Sequence, residues 1–254
     1  MQTKILTPRQ SLNKAYLKEK ILRSEIENFK ENLAKLVVSI DHEEREENAK
    51  TILRDFLNDT YYKEKHFINT LRDIDLVINL ENNQNKAAVL AEVKRPKNKL
   101  EMITKDNLNA KAMHELILYY LEERIDYKNN DIKFLIATNI YEWFIFDATV
   151  FEHLFFKNKS LIKNYERWRD KQKTSGNTDL FYNEIAKPFL DELKSEIPFT
   201  YFDLGEYIKS IKKNDHENEK KLIALYKILS PVHLLKQPFT NDSNSLDRNF
   251  YNEL

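Results

Sequence analysis

The chain reads as an α/β protein, and three observations lead there. Short runs rich in Ile, Val, Leu and aromatics lie near 60–68, 73–80 and 87–94, separated by polar turns such as Glu81-Asn82-Asn83-Gln84-Asn85. Stretches with apolar residues at three- and four-residue steps flank them on both sides. Two more strand-like runs, 132–138 and 142–147, follow a helical stretch at 106–125. The order helix, β-meander, helix, strands builds an α/β sandwich core over residues 41–148.

Taken in order, residues 12–38 form a first helix, because Leu12, Tyr16, Ile21, Ile26, Phe29, Leu33 and Leu36 recur at helical spacing. Asp41 caps a second, acidic helix over 42–58, with Ile52, Leu53, Phe56 and Leu57 on its apolar side. The third helix carries Leu108, Ala112, Leu116, Tyr119 and Tyr120 along one side. From 150 the pattern is helical, over 151–172, 178–194, 203–213 and 216–229, punctuated by Asn177-Thr178 and Ile197-Pro198. The expected organisation is an N-terminal helical extension (1–40), the core (41–148), a helical region (149–229) and a linker (230–254) toward a following domain.

Composition removes several classes. With 254 residues, 41% hydrophobic and 32% charged, the chain suits a globular protein with a sizeable core. No run approaches the ~20 apolar residues of a bilayer span, and no signal-peptide core opens the chain, so a cytoplasmic address is expected. The absence of cysteine excludes disulfides, Cys-bound zinc and iron–sulfur clusters, leaving oxygen or His ligands for any metal. The six histidines show no metal-ligand spacing. Two glycines leave no material for phosphate-cradling loops, which argues against a P-loop NTPase, a dinucleotide site or a Gly-motif methyltransferase site within this stretch. Forty-one basic and forty-one acidic residues balance, but unevenly. Residues 1–24 and 157–173 are basic and 25–59 acidic; solvated helix faces are the ordinary explanation.

Chemistry concentrates in two strands. Asp75 heads the apolar run Leu76-Val77-Ile78, and Ala88-Val89-Leu90-Ala91 leads into Glu92-Val93-Lys94. Alternation points Glu92 and Lys94 the same way while Val93 enters the core. Paired as a hairpin, the strands set Asp75 beside Glu92. Two carboxylates at a strand edge make a hard oxygen site suited to Mg²⁺, with Lys94 as a nearby cation. Asp73 shares the face of Asp75 and competes with it. The acidic helix offers a further carboxylate: Glu47 is the choice, with Glu43, Glu44 and Glu46 as competitors. Arg95, Lys97, Lys99 and Lys111 form a basic surround able to contact phosphates. Lys111, Glu115 and Tyr119 share one helix side, for which an ordinary intrahelical ion pair is the simpler account.

These residues resemble the PD-(D/E)XK nuclease superfamily. More closely, Asp75-Leu76-Val77-Ile78, Leu90-Ala91-Glu92-Val93-Lys94-Arg95-Pro96, Asn98 and Glu101-Met102-Ile103 resemble the amino-terminal nuclease region of single-chain type IIG restriction–modification enzymes. So do Leu108 to Tyr120, Ala137-Thr138-Asn139 and Glu142 to Ala148. The resemblance covers most of 40–160 and, more loosely, 228–254. It implies a restriction-endonuclease-like core, Mg²⁺-dependent hydrolysis of double-stranded DNA by Asp75, Glu92 and Lys94 with Glu47, and metal held by Asp75 and Glu92. It further implies a fused S-adenosylmethionine-dependent methyltransferase and a target-recognition domain, with transient dimerisation for double-strand cleavage. The proline that names the superfamily is absent, since Ile74 precedes Asp75. The competing expectation is a catalytically inactive DNA-binding or helical scaffold domain.

Overall fold

A computed structural model describes residues 2–40, 45–80, 86–175, 177–211 and 216–239. Its strands are β1 (Gln2–Leu6), β2 (Ile68–Leu71), β3 (Ile74–Asn79), β4 (Ala87–Val93), β5 (Phe134–Thr138), β6 (Glu142–Asp147) and β7 (Glu196–Asp203). They join one mixed sheet in the order β1-β7-β6-β5-β4-β3-β2. β2, β3 and β4 form an antiparallel meander, β5 runs parallel to β4, and β6 and β7 return antiparallel. β1 closes the far edge parallel to β7.

The helices are α1 (Pro8–Ser11), α2 (Lys14–Lys18), α3 (Arg23–Val38), α4 (Glu46–Leu57), α5 (Lys111–Leu121), α6 (Ala148–Phe151), α7 (Lys159–Ser175), α8 (Thr178–Phe181), α9 (Lys187–Glu192), α10 (Leu204–Ile211), α11 (His216–Leu229) and α12 (Pro231–Leu234). They cover both sheet faces. Val77, Leu90, Leu135 and Phe144 meet Leu116, Tyr165 and Phe181 on one side. Ile78, Val89, Ile136 and Trp143 meet Phe29, Leu33, Leu53 and Leu225 on the other. Every residue of β3 and β4 is therefore buried, which is why both strands read as continuous apolar runs rather than alternating ones. No helix among the described residues is long and apolar enough to cross a membrane.

The α/β class holds, with four departures from the sequence reading. First, β1 and β7, on either side of 41–148, extend the sheet, so neither 1–40 nor 149–229 is purely helical. Pro198 disguised β7. Its missing N–H is tolerated because the pairs between β6 and β7 begin at Thr200. Second, the 12–38 helix breaks between Lys18 and Arg23, where the Lys227 ammonium takes the carbonyls of Tyr16, Leu17 and Glu19. Third, Tyr61 and Tyr62 belong to a π-helical turn (Asn58–Tyr62) that continues α4, not to a strand. Tyr62 donates to the Leu229 carbonyl and packs with Tyr61, so tertiary contacts override aromatic β-propensity. Fourth, 230–239 is no free linker: α12 forms and Leu234 and Leu235 are buried. The predicted turn 81–85 and residues 240–254 lie outside the described residues.

Candidate active site

The meander builds the site. Val77 pairs with Leu90 across β3 and β4, and both face α5. Two residues further toward the rim on each strand stand Asp75 and Glu92, on that same face. The Val93 N–H donates to Asp75 Oδ2 at 2.9 Å and fixes the carboxylate against the neighbouring strand. Lys94 prolongs the ladder, its N–H donating to the Thr138 carbonyl at 2.8 Å. The first turn of α4 lies over the rim and adds Glu46. One carboxylate oxygen each from Glu46, Asp75 and Glu92 lies within 4.8 Å of the others. They line an open cleft of about 520 Å³ with Asp73, Glu101, Lys111 and Tyr119.

α5 supplies the opposite wall. Glu115 and Tyr119, four residues apart, both reach the strand residues. Lys94 Nζ sits between Glu92 Oε1 at 2.6 Å and Glu115 Oε2 at 2.8 Å. The Tyr119 hydroxyl donates to Glu92 Oε2 at 2.9 Å and also faces the Asp73 carbonyl. Lys111 holds Glu101 at 3.1 Å, and Asn98 steadies the same carboxylate. Across the cleft, Lys50 bridges Asp75 Oδ1 at 2.7 Å and Glu47 at 2.6 Å.

Burial and crowding set the protonation. Burial, then the Glu115 and Asp75 carboxylates, push Glu92 well above the usual carboxylate range, against the pull of Lys94. Burial likewise raises Glu115, again opposed by Lys94. For Lys94 itself, burial would depress the amine, but Glu92 and Glu115 outweigh it and hold the ammonium charged. Tyr119 is raised by burial and by Glu92, so its hydroxyl stays a donor.

Asp75, Glu92 and Lys94 are thus brought together, while Asp73 stays exposed on the cleft wall. Glu47 is a correction. Its carboxylate is largely exposed and reaches the site only through Lys50, whereas Glu46 delivers an oxygen to the cluster. The helix register explains it: Ala49, Leu53 and Phe56 are the buried stripe, and Glu46 is in line with it. Ile52, only half-buried, had rotated the expected face by one residue. Glu43 and Glu44 lie outside the described residues. Of the phosphate candidates, Arg95, Lys97 and Lys99 are exposed just past Lys94, whereas Lys111 is engaged by Glu101 inside the cleft. Lys50 was missed, although its place four residues after Glu46 signalled it. Tyr182, from the segment after α8, was missed because nothing local ties it to the strands.

The donor set fits a hard divalent cation: three oxygen ligands, like-charge crowding that a cation would relieve, and open space for waters and a phosphate. Fold and site together define an α/β protein with a carboxylate–lysine cluster at the rim of its sheet. The chain belongs to the DUF7149 family, a domain of unknown function, whose model matches residues 6–242. No curated protein and no solved structure matches it.

Proposed function

We propose that the chain is a Mg²⁺-dependent endonuclease domain hydrolysing phosphodiester bonds of double-stranded DNA. The supporting observation is the convergence of Glu46, Asp75 and Glu92 within 4.8 Å, with Lys94 on the same strand face as Glu92. The order α4, β2, β3, β4, α5, β5, with β5 parallel to β4, also agrees with the restriction-endonuclease-like core that the sequence resemblance implies.

Asp75 and Glu92, with Glu46, would hold the ion. Mg²⁺ there supplies Lewis-acid activation of water and offsets charge on the phosphate. Tyr119 fixes one oxygen of Glu92 and the Val93 N–H fixes one of Asp75, so the donors are oriented before substrate arrives. Lys94, kept protonated by its carboxylates, offers a positive charge toward developing phosphate charge. Glu115 limits where that ammonium can point. The cleft walls carry six carboxyl groups (Glu46, Asp73, Asp75, Glu92, Glu101 and Glu115) against Lys94 and Lys111, with Lys50 on Asp75, so the lining offers phosphate no net attraction until cations enter. In this reading base recognition and S-adenosylmethionine-dependent methylation belong to other domains of a cytoplasmic restriction–modification enzyme, and cutting both strands requires transient pairing.

A second reading keeps the fold without catalysis. Lys50 and Lys94 already neutralise Asp75 and Glu92, as a purely structural ion network would. One experiment separates the two. With Mg²⁺ or Mn²⁺ the purified chain should convert supercoiled plasmid to nicked and linear forms, and Glu92→Gln should not. No conversion by the wild type with either metal, or full conversion by Glu92→Gln, would sink the nuclease reading.

A further inference from the structure

The cleft chemistry leaves the basic run 157–173 unused, with seven Lys/Arg against Glu166 and Asp170. It folds into α7, where Lys159, Lys163, Arg167 and Lys171 recur every fourth residue, all exposed. Side chains four apart stack along one helix side, so the row climbs about 6 Å per step and about 18 Å in all. Stacked like charges disfavour the helix unless something negative lies on them. Lys159, Lys163 and Arg167 enter no ion pair among the described residues, and Asp170 is engaged by Arg169 at 3.3 Å.

We propose that this row is a backbone track for duplex DNA on its way to or from the cleft. DNA carries one phosphate per about 3.4 Å of rise on each strand, so a row of about 18 Å spans the rise of about five phosphate steps. Placement agrees with charge. Thr178 and Tyr182 line the active cleft, whereas Asn177 and Glu184, from the same segment, line a groove shared with Arg167 and Lys171. The Arg167–Lys171 end of the row is therefore set apart from the cleft only by the segment that begins at Asn177. The Trp168 indole N–H donates to the Asn177 carbonyl at 3.3 Å and ties α7 to the start of that segment. An acidic cleft cannot grip DNA by itself, and a cationic row beside it supplies what it lacks. The track rests on the DNA reading and adds where the duplex is held.

The test is binding of a labelled random-sequence duplex in Ca²⁺ across a range of KCl, for the wild type and for Lys159→Gln/Lys163→Gln/Arg167→Gln. Glutamine keeps helix propensity, and an unchanged melting temperature confirms folding. The dissociation constant should rise at least about tenfold, and the slope of log K against log salt should flatten by about 0.9 for each phosphate no longer neutralised, about 2.7 for three. Should the triple variant melt early, Lys163→Gln alone should flatten the slope by about 0.9. Wild-type binding with an unchanged slope in the variant overturns the track and leaves the nuclease reading standing. Row-dependent binding with no plasmid cleavage in Mg²⁺ or Mn²⁺ supports the track and removes the nuclease. No wild-type binding overturns both. A variant that changes self-association but not DNA binding assigns the row to a second copy of the chain and overturns the track.

Discussion

Two lysines among the described residues are almost completely buried, and they are buried for opposite reasons. Lys94 is 3% exposed and lies between the Glu92 and Glu115 carboxylates at the wall of an open cleft. Lys227 is 0% exposed and donates to three backbone carbonyls, those of Tyr16, Leu17 and Glu19, at 2.6, 3.1 and 2.7 Å. The carboxylates raise Lys94, whereas burial lowers Lys227, with only Glu19 opposing. Lys227 ends α2 by satisfying carbonyls that a longer helix would have used, at the negative end of the helix dipole. A buried cation among carbonyls closes a structural joint. A buried cation among carboxylates beside solvent is an arrangement that folding alone does not need, because isosteric apolar groups would be no less stable.

The largest expected effect breaks this contrast directly. Lys94→Met should lower plasmid cleavage on the order of 10³-fold while leaving a cooperative melt, since Glu92 and Glu115 can take up a proton in its place. Lys227→Met should do the reverse. The part-buried carbonyls of Leu17 and Glu19 lose this donor and that of Tyr16 keeps only the Glu19 N–H, for a loss of about 2–4 kcal/mol in unfolding free energy, with cleavage per folded molecule within about threefold of wild type. Denaturant melts and cleavage rates on both variants decide it. Equal loss of stability in the two proteins would show that Lys94 is a staple as well.

A smaller effect sharpens the site itself. Glu46→Gln should weaken divalent-ion binding and slow cleavage about 10- to 100-fold, while Glu47→Gln should change either by less than about threefold. Calorimetric Mn²⁺ titration alongside the cleavage assay would measure both, and the reverse order would return the helix ligand to Glu47. The pair also marks how far the sequence could be read. Asp75, Glu92 and Lys94 were legible because strand alternation is strict and both strands are buried, so one register places all three. Glu46 and Glu47 were not separable, since a helix turns 100° per residue and one misjudged position, Ile52, redirects the face. β1 and β7 were illegible for another reason. Their pairing joins residues about 190 positions apart (Lys4 with Pro198), and β1 has only Ile5 and Leu6 as apolar residues. Local pattern carries no signal for such a contact. The break between α2 and α3 was hidden likewise, because its cause, Lys227, sits on α11.

The smallest effect concerns another base, half-buried and close to Lys227 on the same stretch of chain. His233 packs on the Phe134 ring with centroids 4.7 Å apart, and its Nε2 is buried without a hydrogen-bond partner. Burial brings its pKa down to about 4, against the attraction of Asp147. It has neither the carboxylates of Lys94 nor the carbonyls of Lys227, so it stays neutral when folded. The unfolded chain binds the proton near pH 6.5, the folded one only near 4. The stability linked to His233 is therefore fully present above about pH 6.5, falls as the pH drops from there to about 4, and is constant below. With screening at the ring's exposed edge this amounts to about 2 kcal/mol. His233→Phe should flatten the pH dependence of unfolding in that window by the same amount, relative to wild type, with carboxylate contributions common to both proteins. A difference between the two proteins that stays constant from pH 7 to about 4 would mean that His233 takes up its proton as readily in the fold as in the unfolded chain, and that a base at this position needs neither kind of partner.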